Sequence, residues 1–213
     1  MIRFDRSWQR LAVGVAVLAG LVDAIGFVES AGFFVSFMTG NSTRMAVGAA
    51  EWRDAALIAG GIIAVFVTGV VAGALLAARF RSVRTAAILG AVTLFLLVAA
   101  VLRFGGAGPG AIAALAFAMG VANAALEGED GAAVGVTYMT GTLVQMGHKI
   151  ANALRGEGDG RWHGHFWLWA GLVAGAIAGA RILLWSPAAG YGVAILMAGG
   201  LAARAWWIVR QAR

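Results

Sequence analysis

The chain has 213 residues, of which 61% are hydrophobic and 12% charged, with no cysteine and a formal net charge of +6. A soluble domain carries roughly twice that charged fraction, so this composition, with a mean hydropathy of +0.85, excludes a soluble globule and places the chain in a bilayer. Disulfides and thiolate metal sites are excluded too, and the basic residues fall in short clusters between apolar runs, a topology pattern and not a nucleic-acid-binding stripe.

A helix needs about 20 apolar residues to cross the hydrocarbon core. The first such run, 11–28, carries Asp23 about two-thirds of the way along and has no small-residue cleavage site, so it reads as a permanent span and not a signal peptide. Next comes 32–50, apolar at its ends but interrupted by Thr39-Gly40-Asn41-Ser42-Thr43-Arg44. A broken helix there would expose backbone N–H and C=O groups at membrane depth, where they are tolerated only inside protein or against a wet cavity.

Two ordinary spans follow, at 55–78 and 85–102, the first with Gly69 and Gly73 at small-xxx-small spacing. The glycine-rich stretch 105–110 joins two spans and lacks the strand and the Lys-Ser/Thr of a P-loop, so it reads as a connector. The run 111–126 carries Asn123 and leads to the acidic Glu127-Gly128-Glu129-Asp130. A second interrupted segment, 131–153, holds Thr140-Gly141-Thr142 and Gln145. His163 and His165 read as solvated loop histidines without metal-ligand spacing, and no metal or cofactor is expected. The last spans are 166–184, with Gly171 and Gly175, and 188–209; six tryptophans, Trp162, Trp167, Trp169, Trp185, Trp206 and Trp207, lie near span ends as interface anchors.

Shifted on itself by about 100 residues, the chain matches in three collinear places, the signature of a tandem duplication. Gly20-Leu21-Val22-Asp23-Ala24 falls on Gly120-Val121-Ala122-Asn123-Ala124, and Ser36-Phe37-Met38-Thr39-Gly40 on Thr137-Tyr138-Met139-Thr140-Gly141. Gly69 to Ala74 falls on Gly171 to Ala176 in the same order. The expected organisation is one repeat over 1–104 and another over 105–213, forming one membrane domain.

Counting the interrupted segments as re-entrant gives three crossings per repeat and puts the arginines near the N-terminus, Arg79 to Arg84, Lys149 to Arg161, and Arg210 and Arg213 on one side. Counting them as spans moves Arg79, Arg81 and Arg84 outside, against the positive-inside rule. The expected fold is therefore an all-α polytopic membrane protein of six transmembrane helices plus two broken or re-entrant segments, arranged as an inverted tandem repeat; eight spanning helices are the alternative. Both termini are expected in the cytoplasm.

The candidate substrate or ion site gathers Asp23, Thr39, Gly40, Asn41, Thr43 and Arg44 from the first repeat with Asn123, Thr140, Gly141, Thr142 and Gln145 from the second, meeting near the midplane. Asp23 is a candidate by default as an ionisable residue inside a membrane, either as proton carrier, as cation ligand or as ion-pair partner of Arg44. For each of these residues the structural alternative is packing: Thr and Gly let helices kink or approach, and an Asp–Arg pair holds two helices in register.

At these residues the chain resembles the YoaK-like family of bacterial multipass membrane proteins, defined as a domain of unknown function. The resemblance is carried by Gly20-xx-Asp23-Ala24, Phe33, Met38-Thr39-Gly40-Asn41, Gly120-xx-Asn123-Ala124 and Thr140-Gly141-Thr142-Leu143. It implies about six crossings of a bacterial inner membrane and supplies no substrate, cofactor or reaction. On the residues, the expected function is a small-molecule or ion transporter or permease, with the lipid bilayer and an unknown small solute or ion as partners, no nucleic acid, and a homodimer allowed through the Gly-xxx-Gly faces. No catalytic motif is present. The alternatives are a membrane enzyme acting on a lipid-like substrate, for which Glu127 and Glu129 are the candidates, and a non-transporting membrane assembly partner.

Overall fold

The computed structural model describes residues 6–51, 53–126, 137–157 and 161–211. Among the described residues the regular structure is entirely helical: α1 (Arg6–Glu29), α2 (Met38–Ala50), α3 (Ala55–Arg79), α4 (Arg84–Phe104), α5 (Gly108–Ala122), α6 (Met139–Leu154), α7 (His163–Trp185) and α8 (Pro187–Gln211), with a 3-10 turn at Arg81–Val83. Helices α1, α3, α4, α7 and α8 are long and apolar enough to cross a membrane.

Helix α5 is shorter, but it is extended beyond Ala122 by tight turns in which the Asn123, Ala124 and Ala125 amides donate to carbonyls three residues back. Its two ends show that it crosses. Gly110 lies against Leu102 near the end of α4, while the Ala124 and Ala125 carbonyls accept from Arg84 Nε at 3.0 Å and Thr85 Oγ1 at 2.8 Å at the start of α4. The stretch 108–125 therefore covers the whole length of a spanning helix. Thr85 is buried, so Thr85→Val, which leaves the Ala125 carbonyl without this donor, is expected to cost about 1–2 kcal/mol in denaturant unfolding of the detergent-solubilised protein.

Lipid tails are as apolar as leucine, so close packing and not hydrophobic burial brings membrane helices together. Glycines supply that packing here. Gly171, Gly175 and Gly179 of α7 face Val13, Val17 and Leu21 of α1 in the same numerical order, so α1 and α7 are parallel. In the same way Gly69 and Gly73 of α3 face Phe117 and Val121 of α5, so α3 and α5 are parallel. These Gly-xxx-Gly faces thus pack against helices of the same chain.

The remaining directions follow from side-chain contacts. Phe104 of α4 packs on Tyr191 of α8 with ring centroids 5.8 Å apart, and Thr93 lies beside Gly199, so α4 and α8 are antiparallel. Gly14 faces Leu201, and Glu29 at the end of α1 pairs with Arg103 at the end of α4. Helix α1 therefore runs with α4 and α7 and against α3, α5 and α8. Because α1 and α3 are antiparallel, the chain between them leaves and returns at one face, and α2 is re-entrant; α5 and α7 give the same result for α6. Eight crossings would require α1 and α3 to be parallel.

Helices α1 and α5 form the centre, with Leu11, Val15, Leu18, Val22 and Ile25 of α1 and Leu115, Met119 and Val121 of α5 buried. The outer helices keep residues such as Leu57, Leu75, Val101, Leu184 and Leu196 exposed, as a lipid-facing surface requires.

Candidate functional site

The first break lies earlier than the sequence places it. Thr39 to Arg44 belong to the unbroken helix α2, and Thr140 to Gln145 to the unbroken helix α6. What is broken is the stretch between α1 and α2. Helix α1 stops in a turn where Ala31 (φ 56°) and Gly32 (φ 107°) adopt left-handed backbone, with the Gly32 amide donating to the Phe27 carbonyl at 2.8 Å. The chain then runs back along α1, non-helical, through Phe33, Phe34, Val35 and Ser36.

Four amides at membrane depth without helical partners would be costly, and each has a side-chain acceptor. The Phe33 amide donates to Ser30 Oγ at 3.0 Å, and that hydroxyl donates to the Phe33 carbonyl at 2.8 Å. The Phe34 amide donates to Asn41 Oδ1 at 3.0 Å while Asn41 Nδ2 donates to the Phe34 carbonyl at 2.6 Å. The Val35 and Ser36 amides both donate to Asp23 Oδ1, at 3.0 and 2.8 Å. The Ser36 side chain also hydrogen-bonds to the Asp23 carboxylate. Asp23 and Asn41 therefore act as a clamp on the backbone.

Arg44 is not the partner of Asp23. Its guanidinium lies 5.3 Å from the centroid of the Phe33 ring and beside Gly32, so it covers the turn from outside. Thr39, Ser42 and Thr43 are exposed, and the Ser42 and Thr43 hydroxyls donate to the carbonyls of Met38 and Thr39 one turn back. Gly40 is a packing position: a Cβ there would lie 2.6 Å from the Phe37 ring.

The residues that align with these in the second half of the chain show parts of this arrangement. Thr137 Oγ1 donates to Asn123 Oδ1 at 3.1 Å, and Asn123 Nδ2 donates to the Met119 carbonyl at 2.8 Å. Asn123 and Thr137, which align with Asp23 and Ser36, are thus also in contact, but through the Thr137 hydroxyl and not through backbone amides. A Cβ on Gly141 would overlap the Tyr138 ring, as at Gly40 and Phe37. Thr142 Oγ1 donates to the Tyr138 carbonyl at 3.2 Å, and Thr140 and Gln145 are exposed.

The two sets do not meet at the midplane. Asn123 lies next to the Ala124 and Ala125 carbonyls that bond Arg84 and Thr85 at the start of α4, whereas Asp23 is six residues short of Glu29, which pairs with Arg103 at its end. Arg84 to Arg103 covers roughly 28 Å at about 1.5 Å per residue, and six residues of α1 about 9 Å, so Asp23 and Asn123 are roughly 20 Å apart along the bundle. The antiparallel course of α1 and α5 puts them in opposite halves. Asp23, Asn41, Arg44, Gly40 and Thr43 are brought together in one half; Asn123, Thr140, Gly141, Thr142 and Gln145 belong to the other.

Ser30, Ser36 and Thr137 are site residues the sequence did not single out. The pairing of Ser36 with Thr137 in the repeat alignment was the available signal, since both are hydroxyl residues next to the aromatic that precedes Met-Thr-Gly. His163 and His165 open α7 and do not lie in a loop. Residues 127–130 and the first part of the second interrupted segment lie outside the described residues.

Spanning helices with two re-entrant elements define a polytopic α-helical membrane protein. The chain belongs to the family described as "Protein of unknown function (DUF1275)", whose model matches residues 11–206, in agreement with the YoaK-like resemblance. It is 37% identical over 204 residues, 88% of this chain and 85% of the relative, to a UPF0700 transmembrane protein of Rhizobium meliloti (strain 1021). No solved structure matches the chain.

Proposed function

We propose that this protein is a small-solute or ion transporter of the bacterial inner membrane, built from a duplicated unit over 1–104 and 105–213 whose two copies cross in opposite directions. The observation that carries the reading is the non-helical stretch Phe33–Ser36 held at membrane depth by side chains of α1 and α2. Irregular backbone at that depth is a hallmark of transport proteins, where it borders a cavity or a moving element.

The duplication is supported by packing as well as by sequence. Gly20 on α1 meets the Leu172 carbonyl of α7, and its counterpart Gly120 on α5 meets the Phe66 carbonyl of α3. Each unit thus packs its third helix, α3 or α7, on the first helix of the other, and Asp23 and Asn123 fall in opposite halves. In this reading each face has its own re-entrant element. Solute contacts come from Thr39, Thr43 and Arg44 on one side and Thr140, Thr142 and Gln145 on the other, while Asp23 and Asn41 hold backbone and Asn123 holds the Thr137 hydroxyl.

Orientation follows from charge. The face that holds the start of α1 carries Arg10, Arg79, Arg81, Arg84, Arg155, Arg161 and Arg210 with Glu157, whereas the far face carries Glu29, Glu51 and Asp54 with Arg53, Arg103 and Arg181. The positive-inside rule makes the first face cytoplasmic, with both termini there.

Purified protein in liposomes is expected to move at least one solute from a panel of metabolites and inorganic ions. Asp23→Asn, which places at this position the residue type of Asn123, is expected to fold and to change the flux at least tenfold. Wild-type protein that moves nothing across the panel, in vesicles where its insertion is verified, would refute transport.

A further inference from the structure

At the far face, Glu29 at the end of α1, Arg103 at the end of α4 and Tyr191 in the first turns of α8 come together. Arg103 Nε donates to Glu29 Oε2; the carboxylate side chain is 11% exposed and the guanidinium side chain 37%. Tyr191 is 1% exposed, and its hydroxyl has no hydrogen-bond partner among the described residues. Glu29 lies close to this ring, because Arg103, which holds it, is followed by Phe104, whose ring centroid is 5.8 Å from that of Tyr191. The ring is held against Phe104, a role phenylalanine would fill equally well.

A buried hydroxyl without a partner is disfavoured, and native proteins retain few of them. Here the nearby acceptor is the carboxylate already taken by Arg103. We propose that Glu29 has two positions: held by Arg103 at the rim, as in this structure, or held by the Tyr191 hydroxyl, so that the end of α1 is tied either to α4 or to α8.

The exchange has a direct mechanical consequence. Ser30, which follows Glu29, holds both polar groups of Phe33, and Asp23 on the same helix holds Val35 and Ser36. A shift of the α1 end therefore carries the non-helical segment with it. This proposal deepens the transport reading by naming the control of its far-side element, and it is read without measuring transport.

The chain has no cysteine, so one introduced thiol reports alone. Val35 is fully buried, and maleimide labelling of Val35→Cys measures release of the segment. Adding Arg103→Gln removes the rim position and is expected to raise the labelling rate at least tenfold. Tyr191→Phe removes the other position and is expected to lower the rate at least threefold, both alone and on the Arg103→Gln background. Tyr191→Phe keeps the ring, so size exclusion and helix content should match the parent. Labelling unmoved by Tyr191→Phe on both backgrounds overturns the latch even if the protein transports; the expected labelling pattern in a protein that moves no solute would overturn transport and leave the latch standing.

Discussion

Asp23→Ala is expected to be among the most destabilising single substitutions in the chain. The change strands the Val35 and Ser36 amides, which share Asp23 Oδ1 as acceptor. Each buried donor left unpaired costs about 1–3 kcal/mol, so the pair should lower unfolding stability by about 2–6 kcal/mol. Asp23→Asn keeps an acceptor oxygen but loses the charge, and about 1–2 kcal/mol is the expected loss. Asn41→Ala should resemble Asp23→Ala, since it strands both the amide and the carbonyl of Phe34. Denaturant unfolding in micelles gives the stabilities, and limited proteolysis reports whether the chain near Phe33 has come loose. An Asp23→Ala protein within about 0.5 kcal/mol of wild type would remove the clamp from the account.

The second large effect is expected where α1 meets α7. A Cβ on Gly20 would overlap the Leu172 carbonyl oxygen, and one on Gly175 would overlap the Val17 carbonyl oxygen. Both obstacles are backbone, which cannot turn aside like a long side chain, so the helices must separate along their length. Gly20→Val and Gly175→Val are each expected to cost about 3 kcal/mol or more, at the upper end of overpacking effects, and to lower the yield of folded protein. Gly61→Ala is the matched control, because nothing lies within 4 Å of its added Cβ. Equal stability of Gly175→Val and Gly61→Ala would mean that α1 and α7 do not pack as described.

Much of the architecture was legible in the residues because the bilayer leaves few options. Apolar runs of spanning length became α1, α3, α4, α7 and α8, and the run 111–126 became α5 with its tight-turn extension. The basic clusters favour six crossings and leave eight as the alternative, which the antiparallel course of α1 and α3 removes. Asp23 and Asn41 were picked out for a sound reason, polarity at membrane depth, yet their partners were invisible. Those partners are backbone amides, and every residue except proline carries the same N–H whatever its side chain.

The break itself was misplaced for a related reason. Phe33-Phe34-Val35 is as apolar as a spanning helix, whereas the polar residues that suggest a break stand at Thr39-Gly40-Asn41. Gly40 and Gly141 leave room for the rings of Phe37 and Tyr138 inside continuous helices. The left-handed turn at Ala31 and Gly32, one of them an alanine, gave little local warning.

The amino-acid sequence by itself determined that the chain is an all-helical membrane protein and where its long apolar runs lie, because hydropathy is a property of the order of residues. Only the tertiary structure decided which helix each glycine face meets, that α1 and α5 are antiparallel, and hence that the two re-entrant elements lie in opposite halves. Small residues say that something must come close but not what, and the choice among apolar neighbours rests on shape, which no single segment contains.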